Sequence, residues 1–313
     1  MYLGQGLKKE FEAICPGGVR PKEPLGPYTT IKIGGKADWL IEPHTFTELK
    51  KLRDLLEHQA IPWQVLGQGS NLLVSDGGVR GVVIRLGFFK EPIKKTPLKN
   101  GLVLLEIEAG VPLATVVRFG VKYQLEGLEF LAGIPGSMGG AWAMNAGSYG
   151  KEMKDLTVYL KIFSKDGRLV RKGRRQLSFC YRRLLLEPGE MILSGGITVT
   201  PGEDRRIRQE IRKRWAQRRS AQPLNYPSCG SVFKNPPGDF AGRLIEEAGL
   251  KGLERGKAQI SSRHANFIIN KGGARAGDVL GLMNLIRQRV RKQFGVLLEP
   301  EVHLWGCALK GIT

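Results

Sequence analysis

Two glycine-rich segments constrain the fold of this chain most strongly. The first, Gly-Gln-Gly-Ser-Asn-Leu at 67–72, follows a strand-like run that ends at Leu66, and the second extends from Gly133 to Gly147. Short apolar runs separated by glycines are typical of strands joined by tight turns. The runs that predict strands are Val65–Leu66, Leu72–Val74, Val82–Leu86, Leu102–Ile107, Val158–Phe163, Ala265–Ile269 and Val302–Trp305.

The first glycine segment argues against the commonest dinucleotide-binding fold. It begins like the fingerprint G-x-G-x-x-G, but Leu72 stands where the third glycine belongs. In a Rossmann fold a helix opens at this turn, whereas Leu72–Val74 is typical of a strand. Taken alone, the segment could be no more than a structural β-turn.

The second segment lacks the Gly-Lys-Ser/Thr ending of a P-loop. It has few bulky side chains, so its backbone N–H groups can approach a phosphate closely. Asn145, near its end, could donate to a ribose or phosphate oxygen. Two such loops together predict a cradle for the diphosphate of a dinucleotide cofactor. The alternative is ordinary turn chemistry in a β-rich protein.

Apolar residues at helical spacing predict four helices among the strands. Their apolar stripes are Leu49, Leu52, Leu55 and Leu56; Ile207, Ile211 and Trp215; Phe240, Leu244, Ile245 and Ala248; and Val279, Leu282, Met283, Ile286 and Val290. Thr45 and Glu48 predict a capping box before the first helix, and Asp239 an N-cap for the third. The second helix is otherwise almost entirely charged, which predicts a surface helix with a narrow buried seam. Strands and helices without regular βαβ alternation predict an α+β fold.

The charge balance is strongly basic, with 49 Lys and Arg against 29 Asp and Glu and a net charge of +20. Basic residues cluster in Arg168–Arg183 and Arg205–Arg219. Such a field attracts anions, and nucleic acid is the first candidate. No recognised nucleic-acid-binding motif accompanies the charge, so we expect a solvated basic face and no nucleic-acid partner.

The remaining composition predicts a cytoplasmic protein without membrane insertion. No apolar run approaches the roughly 20 residues that span a bilayer, and Met1–Glu12 has no apolar core of a secretory signal. The four cysteines, Cys15, Cys180, Cys229 and Cys307, lie far apart and match no metal spacing. We therefore expect reduced thiols and no metal site.

The glycine segments belong to a longer, ordered set of motifs. These are Tyr28-Thr-Thr-Ile-Lys-Ile-Gly-Gly35, Gly67-Gln-Gly-Ser-Asn71, Gly133-Ile-Pro-Gly-Ser-Met-Gly-Gly140, Asn145-Ala-Gly147, Gly230-Ser-Val-Phe-Lys-Asn-Pro236, Ala241-Gly-Arg-Leu-Ile-Glu-Glu-Ala-Gly-Leu250 and Leu298-Glu-Pro-Glu-Val302. In this order, and over nearly the whole chain, they resemble the UDP-N-acetylenolpyruvoylglucosamine reductase family. The lack of a long insertion favours the shorter, type II form of that family.

The resemblance implies the fold. It is an FAD-binding domain of the vanillyl-alcohol-oxidase (PCMH) type in two subdomains, with a smaller C-terminal α/β domain that binds substrate. We expect the subdomains at 1–86 and 87–220 and the substrate domain at 221–313. Because this fold holds a dinucleotide without a Rossmann unit, the resemblance also accounts for Leu72.

The resemblance also implies the chemistry. NADPH reduces a non-covalently bound FAD, and the flavin reduces UDP-N-acetylglucosamine enolpyruvate to UDP-N-acetylmuramate for peptidoglycan synthesis. The alternative is another FAD-dependent oxidoreductase of the same fold with a different anionic substrate. The sequence leaves the oligomeric state open and favours a monomer.

Three residues match the catalytic positions of the family. Arg182 would stabilise negative charge on the substrate carboxylate, and Ser231 would donate a proton. Glu301 would act as a protonated acid or paired with Arg182, and the Glu-Pro-Glu spacing puts Glu299 and Glu301 on one side of an extended strand. Arg183 and Glu299 are the neighbouring alternatives, and Leu184 stands where the family commonly has Ser.

The binding residues are also carried over from the motifs. For the cofactor they are Gly67, Gly69, Ser70, Asn71, Leu72, Gly133, Ile134, Pro135, Gly136, Ser137, Gly139, Gly140, Asn145, Ala146 and Gly147. For the substrate they are Tyr149, Lys234, Asn235, Arg243 and His264. Arg243 could contact phosphate or flavin, and His264 could equally be a satisfied surface histidine.

Overall fold

The computed structural model describes residues 5–309 and 311. The described residues form two compact units. Unit 1 contains those of Met1–Arg20, Leu40–Gly67 and Val82–Gln217, and unit 2 contains those of Pro21–Trp39, Gln68–Gly81 and Arg218–Thr313. The outermost residues of the predicted segments 1–86 and 221–313, and the first four of Met1–Glu12, lie outside the described residues. The division into three segments stays a prediction.

Helices and strands alternate irregularly along the chain. The α-helices are α1 Gln5–Ile14, α2 Phe46–His58, α3 Leu113–Lys122, α4 Met138–Ala143, α5 Met153–Leu156, α6 Asp204–Ala221, α7 Ala241–Glu247 and α8 Ala276–Phe294. The strands are β1 Val19–Pro21, β2 Ala37–Ile41, β3 Trp63–Leu66, β4 Leu72–Val74, β5 Val79–Arg85, β6 Lys94–Pro97, β7 Val103–Glu108, β8 Leu125–Glu126, β9 Gly147–Ser148, β10 Lys151–Glu152, β11 Thr157–Phe163, β12 Leu169–Gly173, β13 Phe179–Cys180, β14 Arg183–Leu184, β15 Met191–Pro201, β16 Ser228–Ser231, β17 Glu254–Arg255, β18 Ala258–Ile260, β19 Phe267–Asn270 and β20 His303–Trp305. This mixture confirms the predicted α+β class.

The main sheet of unit 1 has the order β12-β11-β15-β7-β6, and β8 pairs with the end of β15. Its neighbouring strands are antiparallel. Because side chains alternate between the two faces of a strand, β7 buries Val103, Leu105 and Ile107 and leaves the residues between them part-exposed. These side chains pack in one hydrophobic core with α3, α4 and the buried Trp142.

A smaller sheet has the order β1-β2-β5-β3, with β3 parallel to β5. The first glycine segment starts where β3 ends at Leu66, and the chain enters β4 at Leu72 without forming a helix. The prediction that this turn is not a Rossmann phosphate loop is therefore confirmed.

Unit 2 is built on the antiparallel sheet β16-β19-β18-β17 and a short parallel pair, β4 with β20. The long helix α8 buries the whole predicted stripe of Val279, Leu282, Met283, Ile286 and Val290. Its first backbone N–H groups, at Ala276 and Gly277, donate to the carboxylate of Asp76, at 2.8 and 3.0 Å. A distant carboxylate thus satisfies N–H groups that the helix itself leaves unpaired.

Helix α2 follows the sequence prediction with two differences. Thr45 is the N-cap, and its hydroxyl accepts from the Glu48 N–H at 3.1 Å. The Glu48 carboxylate, however, accepts from the N–H of His44 at 2.7 Å rather than from Thr45. Arg53 is buried on this helix, whereas Leu55 is only part-buried. Nη1 and Nη2 of Arg53 donate to the carbonyls of Ser164 and Lys165, whereas its buried Nε has no hydrogen-bond partner among the described residues.

Two expectations about the other helices were wrong. On α6 only Ile207 is buried, and Trp215 is 45% exposed, because the seam ends after Ile211. Asp239 is not the N-cap of α7, since Phe240 occupies that position. The Asp239 carboxylate instead accepts from the N–H of Phe240 at 2.6 Å and binds Arg243.

Across the described ranges, 5–309 and 311, none of the helices combines the length and the apolar character that crossing a membrane requires.

Candidate active site

Gly67, which begins the first glycine segment, lies against the second glycine segment inside unit 1. A Cβ atom at Gly67 would lie 3.1 Å from the Ser137 hydroxyl, so the start of the first segment lies against the middle of the second. Ser137 is the N-cap of α4, and its hydroxyl accepts from the Gly140 N–H at 3.5 Å. The cap accounts for the serine, and the close approach accounts for glycine at position 67.

The N–H groups of the second segment fall into two sets. The Gly139 N–H donates to the Ala109 carbonyl at 2.9 Å, and the Gly140 N–H is used by the cap. Within the described part of the chain, the N–H groups of Gly136 and Ser137 donate to no protein acceptor. Consecutive backbone N–H groups of this kind suit an oxyanion, so these two amides fit a diphosphate.

Gly139 has a packing role of its own. A Cβ atom there would lie 2.8 Å from the Cβ of Ala109, closer than real side chains come. The residue that ends the segment has a different reason to be small, since a Cβ at Gly147 would lie 2.6 Å from the Lys151 carbonyl oxygen. Part of the glycine pattern therefore reflects close backbone packing in addition to any ligand.

Asn145 is fully buried in unit 1, with a left-handed φ of 41°. Its amide nitrogen donates to the Glu152 carboxylate at 2.9 Å and to the Cys180 carbonyl at 3.0 Å. Its amide oxygen accepts from the Lys154 N–H at 3.0 Å. The side chain joins three segments of backbone, and its predicted contact with the cofactor stays a prediction.

Arg182 lies in the two-residue turn between β13 and β14, with a left-handed φ of 57°. Its Nη1 donates to the Gly147 carbonyl at 2.8 Å, which connects the turn to the end of the second glycine segment. Arg183, the alternative in the sequence, is exposed on β14. Leu184 is buried in the core of unit 1 and pairs with Phe179, so an apolar side chain suits this position.

Tyr149 lies at the tip of the hairpin formed by β9 and β10, where its φ is 54°. Its ring is 47% exposed. The guanidinium carbon of Arg214, on α6, lies 4.6 Å from the ring centroid, and the Tyr149 hydroxyl donates to the Arg214 carbonyl at 3.4 Å. The hairpin tip is therefore held against the basic helix.

Ser231 and Glu301 come together in unit 2. Ser231 ends β16, and the carbonyl of the next residue, Val232, accepts from the Glu301 N–H at 2.9 Å. The Lys234 N–H donates to the Glu299 carbonyl at 2.9 Å, so both glutamates pair with the segment that follows Ser231. Residues two apart on an extended chain share a face, as the spacing predicts. The two side chains differ in exposure: that of Glu299 is 74% exposed and pairs with Lys234 at 3.2 Å, and Glu301 is part-buried.

The first glycine segment continues into unit 2 next to these residues. The Asn71 side chain donates to the Glu301 carbonyl at 3.0 Å, and the His303 N–H donates to the Asn71 carbonyl at 3.0 Å. Gly69 has a φ of 60°, and a Cβ there would lie 2.2 Å from the Tyr28 carbonyl oxygen. Glycine is thus required at 69, and Asn71 fixes the backbone of Glu301.

The other predicted substrate residues of unit 2 have internal partners. The Asn235 side chain accepts from the Ala241 N–H at 3.1 Å and so caps α7 in place of Asp239. Arg243 forms ion pairs with Asp239 and Glu247, which raise the pKa of its guanidinium, and Arg243 in turn lowers the pKa of Asp239.

His264 is part-buried, and its Nδ1 accepts from the Asn266 N–H at 3.2 Å. Burial lowers the pKa of its imidazole, and the nearby charge of Lys251 lowers it further. The bonding on this nitrogen resembles that of a satisfied histidine, the alternative left open by the sequence. Contacts of His264 with substrate stay a prediction.

Sequence reasoning did not single out two residues that position this site. Asn266 is buried, and its side chain both accepts from the Phe233 N–H, at 3.0 Å, and donates to the Phe233 carbonyl, at 2.8 Å. The Thr30 hydroxyl donates to the Ser228 carbonyl at 2.7 Å. Thr30 lies in the motif at 28–35 and Asn266 in the strand-like run Ala265–Ile269, but no periodicity marks a polar side chain that holds a distant strand.

Comparisons with known proteins agree with this architecture. A family model for an FAD binding domain matches residues 37–173, and one for the C-terminal domain of UDP-N-acetylenolpyruvoylglucosamine reductase matches residues 222–305. The UDP-N-acetylenolpyruvoylglucosamine reductase of Syntrophus aciditrophicus is 45% identical over 96% of each chain, and that of Geobacillus thermodenitrificans is 38% identical over 98% of this chain and 99% of the relative.

Solved structures give the same result. The crystal structure of the reductase from Thermus caldophilus has a TM-score of 0.79 and 38% identity, and the match covers 92% of this chain and 99% of that one. A vanillyl-alcohol-oxidase-type flavoprotein from Myceliophthora thermophila, 13% identical, matches 64% of this chain and 47% of its own with a TM-score of 0.50. The predicted fold is therefore confirmed, and the chain belongs to the UDP-N-acetylenolpyruvoylglucosamine reductase family.

Proposed function

We propose that this protein is an NADPH-dependent flavoenzyme that reduces UDP-N-acetylglucosamine enolpyruvate to UDP-N-acetylmuramate, a precursor of peptidoglycan. The observation that carries the proposal is the match to family members over 96% of the chain at 45% identity. It includes both the FAD-binding part and the C-terminal part. We expect 1–86 and 87–220 to bind the cofactor, 221–313 to bind the substrate, and the enzyme to work in the cytoplasm.

FAD, bound non-covalently and reduced by NADPH, would supply the hydride that saturates the enolpyruvyl double bond. The contact of Gly67 with Ser137 supports a shared cradle, and the N–H groups of Gly136 and Ser137 are suited to the diphosphate. The other glycines of the two segments allow the backbone to come close enough.

Arg182 would bind the carboxylate of the enolpyruvyl group. Hydride addition to the alkene carbon farther from the carboxylate shifts negative charge onto the carboxylate oxygens. A guanidinium stays charged and holds a carboxylate in a fixed geometry. The turn that carries Arg182 is fixed by its bond to Gly147, which supports a preset orientation.

Ser231 and Glu301 would complete the addition. The Ser231 hydroxyl would pass a proton to the second alkene carbon, and Glu301 would act in its protonated form, since a bare carboxylate would repel the developing negative charge. The bond between the Val232 carbonyl and the Glu301 N–H supports their acting at one place.

The diphosphate and uridine of the substrate need further donors. Lys234 pairs with a largely exposed carboxylate, so its ammonium can turn to a phosphate at little cost. Tyr149, Asn235, Arg243 and His264 stay candidates. Arg243 would first have to leave two ion pairs.

Product analysis tests the proposal. The protein reconstituted with FAD is incubated with NADPH and UDP-N-acetylglucosamine enolpyruvate, and the nucleotide sugar is analysed by mass spectrometry. We expect the sugar to gain two hydrogen atoms as one NADPH is oxidised. Flavin reduction by NADPH with no change in this sugar would favour the alternative, an oxidoreductase of the same fold with another anionic substrate.

A further inference from the structure

The hairpin that carries Arg182 is too small to hold its own shape. Strands β13 and β14 form only two residue pairs, Phe179 with Leu184 and Cys180 with Arg183. An isolated two-stranded hairpin is marginally stable in water. Arg182 also has a left-handed φ of 57°, which costs a residue other than glycine of the order of 1 kcal/mol. Within the hairpin, the guanidinium carbon of Arg182 lies 5.4 Å from the centroid of the Tyr181 ring. Bonds from outside the hairpin hold the guanidinium in addition.

Asn145 supplies such a bond immediately before the turn. Its Nδ2 donates to the carbonyl of Cys180, the last residue of β13. The second hydrogen of the same amide is fixed by Glu152, and the amide oxygen by the Lys154 N–H. An asparagine amide offers two donors and one acceptor oxygen. With all three atoms engaged and the side chain fully buried, Asn145 cannot rotate to release the hairpin.

Asn145 and Gly147, at the end of the second glycine segment, both form hydrogen bonds with the hairpin of β13 and β14. Asn145 holds the Cys180 carbonyl, and two residues later the Gly147 carbonyl accepts from Arg182 Nη1 at 2.8 Å. The Cys180 carbonyl and the Arg182 guanidinium are thus both hydrogen-bonded to one short stretch of chain, Asn145–Gly147. Alanine at 145 could make none of these bonds, lysine has no acceptor for the Lys154 N–H, and glutamine would be one methylene too long.

We infer that Asn145 is a positioning residue for the reaction: it acts on substrate through the orientation of Arg182 and not by binding the cofactor through its side chain. This inference rests on the proposed function, in which Arg182 binds the substrate carboxylate. It changes the assignment that the sequence motif suggests for Asn145. The role of Asn145 thus differs from that of Gly136 and Ser137 in the same segment, whose backbone N–H groups donate to no protein acceptor within the described residues.

The test is Asn145→Asp, which keeps the shape and the acceptor for Lys154 but loses the amide nitrogen that donates to the Cys180 carbonyl and the Glu152 carboxylate. Each half-reaction is followed by stopped-flow absorbance of the flavin. We expect flavin reduction by NADPH to change less than about 3-fold and reoxidation by substrate to slow about 10- to 100-fold, as a misplacement near 1 Å does. Asn100→Asp, the same replacement at an exposed turn whose side chain accepts from Leu102, is the control and is expected to leave both half-reactions unchanged.

A double-mutant cycle with Arg182→Ala distinguishes positioning from general damage. If Asn145 acts through Arg182, Asn145→Asp adds less than about 2-fold once Arg182 is alanine, because residues acting as a unit are non-additive. Equal slowing in both backgrounds, or equal loss of both half-reactions with loss of bound FAD, overturns the inference. Should the aspartate variant fold poorly, Asn145→Gly removes the same donor at a φ that glycine tolerates. A parent protein that substrate cannot reoxidise refutes the proposed function itself, whereas a normal parent with an unaffected variant refutes only the role of Asn145.

Discussion

The pair Glu299 and Glu301 allows a sharp test, because one substitution can be made at two positions two residues apart. Both glutamates flank the short pairing between Phe233 and Pro300. The Glu299 carboxylate is 74% exposed and bonds Lys234 at 3.2 Å. The backbone of Glu301 is held on both sides, by Val232 and by Asn71. Alanine at either position therefore leaves these backbone contacts in place.

The expected magnitudes differ widely. An exposed ion pair contributes about 0–1 kcal/mol, so Glu299→Ala should lower the free energy of unfolding by less than about 1 kcal/mol and change kcat little. A positioned acid contributes roughly 10²–10⁴-fold, so Glu301→Ala should cost about 3–5 kcal/mol of transition-state stabilisation.

Steady-state kcat and the reoxidation rate of the reduced flavin are measured for both variants, with urea denaturation as the stability control. Loss of activity in Glu299→Ala with activity kept in Glu301→Ala would refute the role proposed for Glu301. Loss of activity in both variants in parallel with loss of stability would refute it as well, because the loss would then reflect folding.

Three other predictions follow from single residues. Ser231→Ala should leave NADPH reduction of the flavin intact and slow reoxidation by substrate roughly 10²–10⁴-fold; equal loss in both half-reactions would refute its role as proton donor. Arg53→Met should lower the free energy of unfolding by roughly 2–4 kcal/mol, because the buried carbonyl of Ser164 and the part-buried bond to the carbonyl of Lys165 lose their charged donor. The exposed neighbour Lys50→Met is the control, and an equal effect at both positions would show that these bonds contribute nothing. Burial lowers the pKa of His264 below its ordinary 6.5, so the unfolded chain binds more protons than the folded one, and the contribution of His264 to the free energy of unfolding is lost as the pH falls from 6.5 through the folded pKa. His264→Gln should therefore flatten the pH dependence of the free energy of unfolding between pH 7 and 5, and an unchanged slope of free energy against pH would contradict the lowered pKa.

The sequence predicted those elements of the fold that depend on residues close together in the chain, such as helix periodicity and N-caps. The stripe of α8 is buried as expected because five apolar residues repeat at helical spacing. Thr45 caps α2 because an N-cap hydroxyl needs only an N–H three residues away. The strand Leu72–Val74 is present, and no helix follows the first glycine segment.

Contacts between distant segments could not be predicted in this way. Trp215 continues the spacing of Ile207 and Ile211, but whether a helix face is covered depends on what packs against it, and Trp215 stays exposed. The Asn235 side chain accepts from the N–H of Ala241, six residues later in the chain, whereas an N-cap side chain accepts from an N–H two or three residues later.

For the candidate site, the family motifs predicted Ser231 and Glu301. The structure adds the hydrogen bond from the Glu301 N–H to the carbonyl of Val232, the residue after Ser231. The positional match could not reveal that Asn145 holds the Cys180 carbonyl, because a motif records residue type and not the atom that the side chain bonds. Leu184, a departure from the motif, lies in the core of unit 1, where an apolar side chain is the expected choice.

We propose that this chain binds a flavin that accepts electrons from NADPH and passes them to the enolpyruvyl sugar. An anaerobic two-step titration tests it most directly. Addition of NADPH to the FAD-reconstituted protein should bleach the flavin absorbance, and a subsequent stoichiometric addition of UDP-N-acetylglucosamine enolpyruvate should restore it. A protein that cannot be reconstituted with FAD, or a reduced flavin that this substrate leaves bleached, would show that the protein does not have the proposed activity.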